Sequence, residues 1–167
     1  MAEIAPFAIA SAVVVRGDAP FQRTPNRAVE QAGSDLLWLG PDEWLVLGHS
    51  PRPLPGGDTT VSVDVSHREL WFLLTGSDAA DLLACGVPLD LDARAFPVGM
   101  CTRTVFEKAG IILWRFALHD WRLGVARSFA PYVQAMLAEM ARANAIPLTA
   151  ATTIVKPEAK LAAAAED

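Results

Sequence analysis

The sequence is short of charge, of cysteine and of long apolar runs, and each shortage argues against a class of function. Charged residues make up 20% of the 167 positions, the net charge is −5, and no basic block occurs. That balance speaks against nucleic acid or an anionic membrane as partner. Two cysteines, Cys85 and Cys101, are too few for a disulfide framework or a four-ligand zinc site, and read as small buried hydrophobes. His49, His67 and His119 fall at turns or strand ends, and none shares a helical face with another ligand-type residue, so no metal site is predicted. No apolar run approaches the roughly 20 residues of a membrane helix. The apolar opening MAEIAPFAIASAVVV carries Glu3 and Pro6 and lacks a basic stretch, which makes a poor signal peptide. A soluble, cytoplasmic chain is the expectation.

What is present is apolar. Hydrophobic residues make up 52% and mean hydropathy is +0.28, partly through abundant alanine. Five tryptophans, at positions 38, 44, 71, 114 and 121, lie in or beside predicted strands. For so many in one small domain, an interface role for one or two is expected, because aromatic side chains anchor interfaces. The low charged fraction agrees with a surface partly covered by another protein.

The organising stretch is VSVDVSHRELWFLLTGSDAADLLACG, Val61 to Gly86. Val61, Val63 and Val65 alternate with polar residues, predicting a half-buried strand, and Glu69–Thr75 predicts a second strand paired to it across a turn. Ser77 is placed to cap a helix that Gly86 stops. Upstream, Phe7–Arg16 is one element whose type stays open, Val13-Val14-Val15 favouring strand and the alanines helix; Arg27–Ala32 reads as a turn or two of helix, and Gly40-Pro41-Asp42 predicts a hairpin between Leu36–Leu39 and Trp44–Leu47. Downstream, Cys101–Phe106, Ile111–Ala117 and Arg122–Ala126 predict an antiparallel meander. Ser128 then caps a helix from Phe129 to about Arg142, whose stripe of Val133, Met136, Leu137, Met140 and Ala141 faces a core. Short connections between paired strands, with helices on one side, define an α+β fold. Residues 1–150 form one domain, with two intimate subdomains divided near 86–98, and 151–167 form a charged, alanine-rich tail.

The obvious chemistry is weak. Asp64, Ser66 and His67 are the ingredients of a hydrolase triad, but they lie too close in sequence to converge as one and no Gly-x-Ser-x-Gly elbow exists. A local turn is the better reading. No dinucleotide or Walker pattern occurs. No catalytic, cofactor-binding or metal residue is assigned.

Several motifs in order carry a resemblance: Leu39-Gly40-Pro41-Asp42-Glu43-Trp44-Leu45, Asp64-Val65-Ser66-His67-Arg68, Leu89-Asp90-Leu91, Phe96-Pro97-x-Gly99, Cys101-x-Arg103-Thr104, Leu113-Trp114-Arg115 and Arg127-Ser128-Phe129-Ala130-x-Tyr132. From about Leu36 to Leu137 the chain resembles the gamma-subunit family of heterotetrameric sarcosine oxidases, itself built on the folate-binding-domain fold of aminomethyltransferase. The resemblance implies two small ferredoxin-like subdomains and a non-catalytic assembly subunit of an oxidoreductase. Its partners would be larger flavin-bearing alpha and beta subunits and a small delta subunit, with FAD, FMN, NAD and tetrahydrofolate held there and none in this chain. Such complexes convert sarcosine, oxygen and tetrahydrofolate to glycine, hydrogen peroxide and methylene-tetrahydrofolate. An independent folate-binding or aminomethyltransferase-like one-carbon protein is the alternative. Two departures matter. Where the aminomethyltransferase pattern runs into an Asp-Asp pair, Gly110-Ile111-Ile112 here runs into Leu113-Trp114, and an apolar pair cannot accept or orient a proton. The segment Asp18–Ser34 is also shorter than the pattern.

Trp44, Trp71, Trp114, Arg115 and Phe129 are the expected interface anchors, as aromatic or arginine residues near turns and strand ends. Arg103 and Arg115, on adjacent strands, either jointly hold an acidic group of a partner or are ordinary exposed or locally paired arginines; the sequence leaves both open.

Overall fold

Two antiparallel sheets and two helices stack in layers in a computed structural model that describes residues 1–31, 33–48 and 59–150. Expectations for His49, the loop at 50–58 and the tail at 151–167 fall outside those residues. The strands are β1 (Ala2–Phe7), β2 (Ser11–Arg16), β3 (Ala28–Gln31), β4 (Ser34–Gly40), β5 (Glu43–Gly48), β6 (Val61–Asp64) and β7 (Glu69–Thr75), followed by helix α1 (Ala79–Ala84). Then come β8 (Cys101–Phe106), β9 (Ala109–Ala117), β10 (Asp120–Ala126), helix α2 (Ala130–Ala143) and β11 (Leu148–Ala150).

One sheet has six strands in the order β11-β1-β7-β10-β9-β8, and the other five in the order β3-β4-β5-β2-β6. All neighbours pair antiparallel except β1 and β11, which run parallel. The period-2 alternation of side chains gives each sheet two faces, and three apolar layers result. Ile4, Phe72, Leu74, Leu113 and Leu123 pack under α1 and α2, meeting Leu82, Leu83, Val133 and Leu137. The opposite face of the same strands puts Phe7, Trp71, Leu73, Ile112 and Trp114 against Val14, Leu37, Leu45 and Leu47 of the five-stranded sheet. Trp44, Leu36 and Val46 on that sheet's outer face are covered by Ala19 and Phe21. Tight packing leaves little tolerance here: a Cβ on Gly124 of β10 would lie 2.7 Å from the Trp71 ring.

The hairpin between β4 and β5, the meander β8-β9-β10, the α2 stripe and its end at Asn144 all form as the sequence predicts. Four expectations change. β6 and β7 do not pair with each other: β6 pairs with β2 in one sheet and β7 with β1 and β10 in the other, so Ser66-His67-Arg68 is a crossing between sheets. Val61 and Val63 are 62% and 52% exposed rather than half-buried, on a strand at the edge of its sheet. Residues 28–31 form a strand, since pairing with β4 outweighs a short helical preference. Neither helix has a side-chain cap: Ser77 Oγ donates to Asp78 instead, and a 3₁₀ turn at Arg127–Phe129 precedes α2. The chain passes between sheets at residues 8–10 and 65–68. Residues 86–98, where the sequence suggested a subdomain boundary, link α1 to β8 within one layer, with Val87, Leu91 and Phe96 in the helix-side core.

Candidate functional site

A cleft of about 470 Å³ opens between the sheets, lined by Phe7, Glu30, Asp35, Trp114, Phe116 and Arg122 among others. Its position follows from register. Trp114 and Arg122 are cross-strand partners on β9 and β10, so both point from the same face toward the five-stranded sheet. The Arg122 guanidinium is buried against three rings, 3.7 Å from the Phe116 centroid, 4.4 Å from Trp114 and 4.6 Å from Phe7. It donates to Asp35 Oδ2 at 3.3 Å. Burial pulls its pKa below the usual arginine value, and Asp35 opposes that shift. Arg122 Nε and Trp114 Nε1 are buried without hydrogen-bond partners, each an uncompensated desolvation cost.

Leu113 and Trp114 are the pair that the resemblance sets against the acids of the aminomethyltransferase pattern. They turn to opposite faces: Leu113 is sealed in the helix-side core, and Trp114 lines the cleft. Of the two, Trp114 faces the cleft and Leu113 does not. Tetrahydrofolate, which the fold family implies, does not fit these residues as a reactant. The cleft offers aromatic stacking surfaces, but Asp35 is engaged by Arg122 and Glu30 stands exposed at the mouth.

The Asp64-Ser66-His67 cluster is a turn. Asp64 Oδ1 accepts from the Ser66 amide at 2.9 Å and from Ser66 Oγ at 2.6 Å, and Ser66 Oγ in turn accepts from the Ala12 amide at 3.0 Å. Those bonds, the Ser66 hydroxyl first, hold the Asp64 carboxyl below its usual range. They pin the crossing between sheets to β2, and His67 stands exposed outside them.

Of the five expected anchors, four are buried within this chain. Trp44 lies under Phe21 and donates its Nε1 to the Gln22 carbonyl at 2.9 Å. Trp71 and Trp114 fill the space between the sheets. Arg115 stacks on Trp121 and donates to the carbonyls of Phe96 at 2.8 Å and Leu118 at 2.8 Å, knotting three chain segments without a carboxylate. Phe129 alone is exposed, at 46%. Trp121 is buried as well, and Trp38 is partly buried against the outer layer of the five-stranded sheet. Arg103 and Arg115 cannot cooperate, because they project from opposite faces of the six-stranded sheet. Arg103 instead reaches Glu43, a nearly buried acid on β5 that also accepts from Arg16 Nε at 3.0 Å. The Arg103 bond, reinforced by Arg16, holds the Glu43 carboxyl below its usual range. That cluster ties β8 of one sheet to β5 and β2 of the other.

A second hollow, about 460 Å³, lies where β7 meets the start of α2, and sequence reasoning missed it. Only Phe129, beside it, gave a hint. Among the described residues no group of three metal-ligating side chains gathers, and no helix is long and apolar enough to cross a membrane.

The architecture is that of the aminomethyltransferase folate-binding-domain class. The glycine cleavage system aminomethyltransferase T from Bartonella henselae superposes with a TM-score of 0.60 at 13% identity, over 89% of this chain and 47% of that one. A chain of the heterotetrameric sarcosine oxidase from Corynebacterium sp. U-96, in complex with pyrrole 2-carboxylate, superposes with a TM-score of 0.74 at 22% identity, over 84% of each. Residues 5–144 match the model of the sarcosine oxidase gamma subunit family, and the chain belongs to that family. Similar relatives are the sarcosine oxidase subunit gamma of Arthrobacter sp., 31% identical over 53% of this chain and 47% of the relative, and that of Corynebacterium sp. (strain U-96), 30% identical over 63% and 55%. The chain spans about half the length of these curated relatives.

Proposed function

We propose that this chain is a non-catalytic assembly subunit of a heterotetrameric sarcosine oxidase. The reaction, sarcosine with oxygen and tetrahydrofolate to glycine, hydrogen peroxide and methylene-tetrahydrofolate, runs on its partners. FAD, FMN, NAD and tetrahydrofolate belong to the larger alpha and beta subunits, with a small delta subunit completing the complex in the cytoplasm. The observation that carries the reading is the family match across residues 5–144, which spans both sheets and both helices. The cleft supports it: the β9 pair that the resemblance sets against acids is Leu113 and Trp114, and the carboxylate of Asp35 is engaged by a buried arginine. Co-purification of the untagged chain with flavin-containing subunits is the expected result. A well-behaved monomer that ignores them would refute it.

The aromatic cleft itself favours a second reading, an independent folate-binding one-carbon protein, because a hollow of this size is within the range of small-molecule sites. Calorimetric titration of the isolated chain with tetrahydrofolate separates the two. No binding is expected, and stoichiometric binding would replace the assembly reading.

A further inference from the structure

The hollow beside α2 differs from the cleft between the sheets in what its charges are doing. Its walls include Pro6, His67, Leu70, Arg127, Pro131 and Gln134. Leu70 is 41% exposed although it lies on β7, and the exposed Phe129 stands on the 3₁₀ turn beside it, edge-on to Tyr132 at 6.4 Å. Among the described arginines, Arg127 alone makes no side-chain hydrogen bond or ion pair; every other one is tied to a carboxylate or a carbonyl. Arg127 is exposed, and Arg68 and His67 stand exposed on the crossing next to it. The carboxylates here are both engaged: Glu69 accepts from Arg68 at 2.8 Å, and Asp64, just before the crossing, accepts from Ser66. Arg127 is left as the cation of this rim with no carboxylate partner. Glu69 Oε2 is itself sealed from solvent, which leaves the unpaired Arg127 as the charge open to a ligand.

We propose that this groove receives a polypeptide segment of one of the larger subunits, with an acidic side chain seated on Arg127 and an apolar neighbour packed against Leu70 and Phe129. The proposal rests on the assembly reading and names its surface. Exposed aromatic and arginine side chains around an apolar hollow are the composition of interface hot spots. The carboxylate-to-guanidinium geometry supplies both charge and direction.

The test co-expresses the chain with the larger subunits and measures recovery of the complex. The double variant Arg127→Glu and Phe129→Asp is expected to reduce recovery roughly tenfold or more, while Val105→Asp, at the far edge of the six-stranded sheet, leaves it unchanged. Arg127→Lys is expected to retain most of the recovery that Arg127→Gln loses, and recovery of the wild type is expected to fall with added salt. Thermal melting of each isolated variant checks that the chain still folds; Arg127→Gln, an exposed and unbonded position, stays informative if the double variant does not. If wild type co-purifies and the Arg127 and Phe129 variants do so equally well, the groove is overturned and assembly stands. If wild type itself fails to co-purify, assembly falls and the groove with it. A second copy of this chain as occupant would appear as a dimer of the isolated protein that Arg127→Glu dissociates, and would also overturn the proposal.

Discussion

The cleft between the sheets and the groove beside α2 are nearly equal in volume and opposite in character. In the cleft the cation is consumed: Arg122 is enclosed by three rings, Trp114 among them, and held by Asp35. In the groove the cation is free: Arg127 is exposed and unbonded among apolar side chains that face solvent. Burial makes the first hollow part of the fold's own stability, and exposure makes the second available to a partner. An aromatic or arginine residue near a turn can end in either place, and only its direction decides which.

The sharpest break in that comparison is aromatic truncation. Trp71→Ala is expected to destabilise the isolated chain by about 3–5 kcal/mol, as for large-to-small changes in a packed core, read from urea unfolding. Phe129→Ala should cost under about 1 kcal/mol in the same assay. A Trp71→Ala chain that melts like wild type would show that the inter-sheet layer is not the core described.

A smaller effect is expected at the cation of the cleft. Asp35→Asn removes the carboxylate from a buried guanidinium and should cost about 1–3 kcal/mol, whereas Arg127→Gln should leave the unfolding midpoint unchanged. Equal effects of the two would erase the distinction between consumed and free arginines.

The acid cluster that joins the sheets makes a pH-dependent contribution. Glu43 is held below its usual range chiefly by the Arg103 bond, so its stabilisation is fully present above the unfolded carboxylate value, about 4.3. It is lost as pH falls through the lower folded value. Urea midpoints measured from neutral to acid pH should therefore fall less steeply for Glu43→Gln than for wild type. Parallel acid limbs would remove Glu43 from the tie between the sheets.

The smallest expected effect is chemical. Burial between the sheets pushes the Cys101 thiol up to about 12, and its Sγ lies 3.6 Å from the Trp38 carbonyl. Native alkylation followed by mass spectrometry should mark Cys85, which is partly exposed, and reach Cys101 only after unfolding.

Much of the fold was legible because local signals and pairing agreed: Gly40-Pro41-Asp42 turns one hairpin, three alternating runs build the meander, and the α2 stripe faces the core. What was not legible depended on the other layer. The alternation of Val61 and Val63 fixes which face they share, and Val63 does pair with the inward Val14, but no period reveals that β6 takes the edge of its sheet with both side chains exposed. The parallel pairing of β11 with β1 joins the two ends of the described fold and has no local sign. At the candidate sites the residue types were visible and their directions were not. Trp44, Trp71, Trp114 and Arg115 carry the chemistry of anchors, yet register turns each inward, and one residue of offset separates the core Leu113 from the cleft-lining Trp114.

Native mass measurement of the flavin-bearing larger subunits, expressed with and without this chain, tests assembly most directly. The expected result is a single complex that contains the chain, with assembled oxidase falling when the chain is omitted. Full assembly of the larger subunits in its absence, with this chain recovered alone as a monomer, would contradict the account.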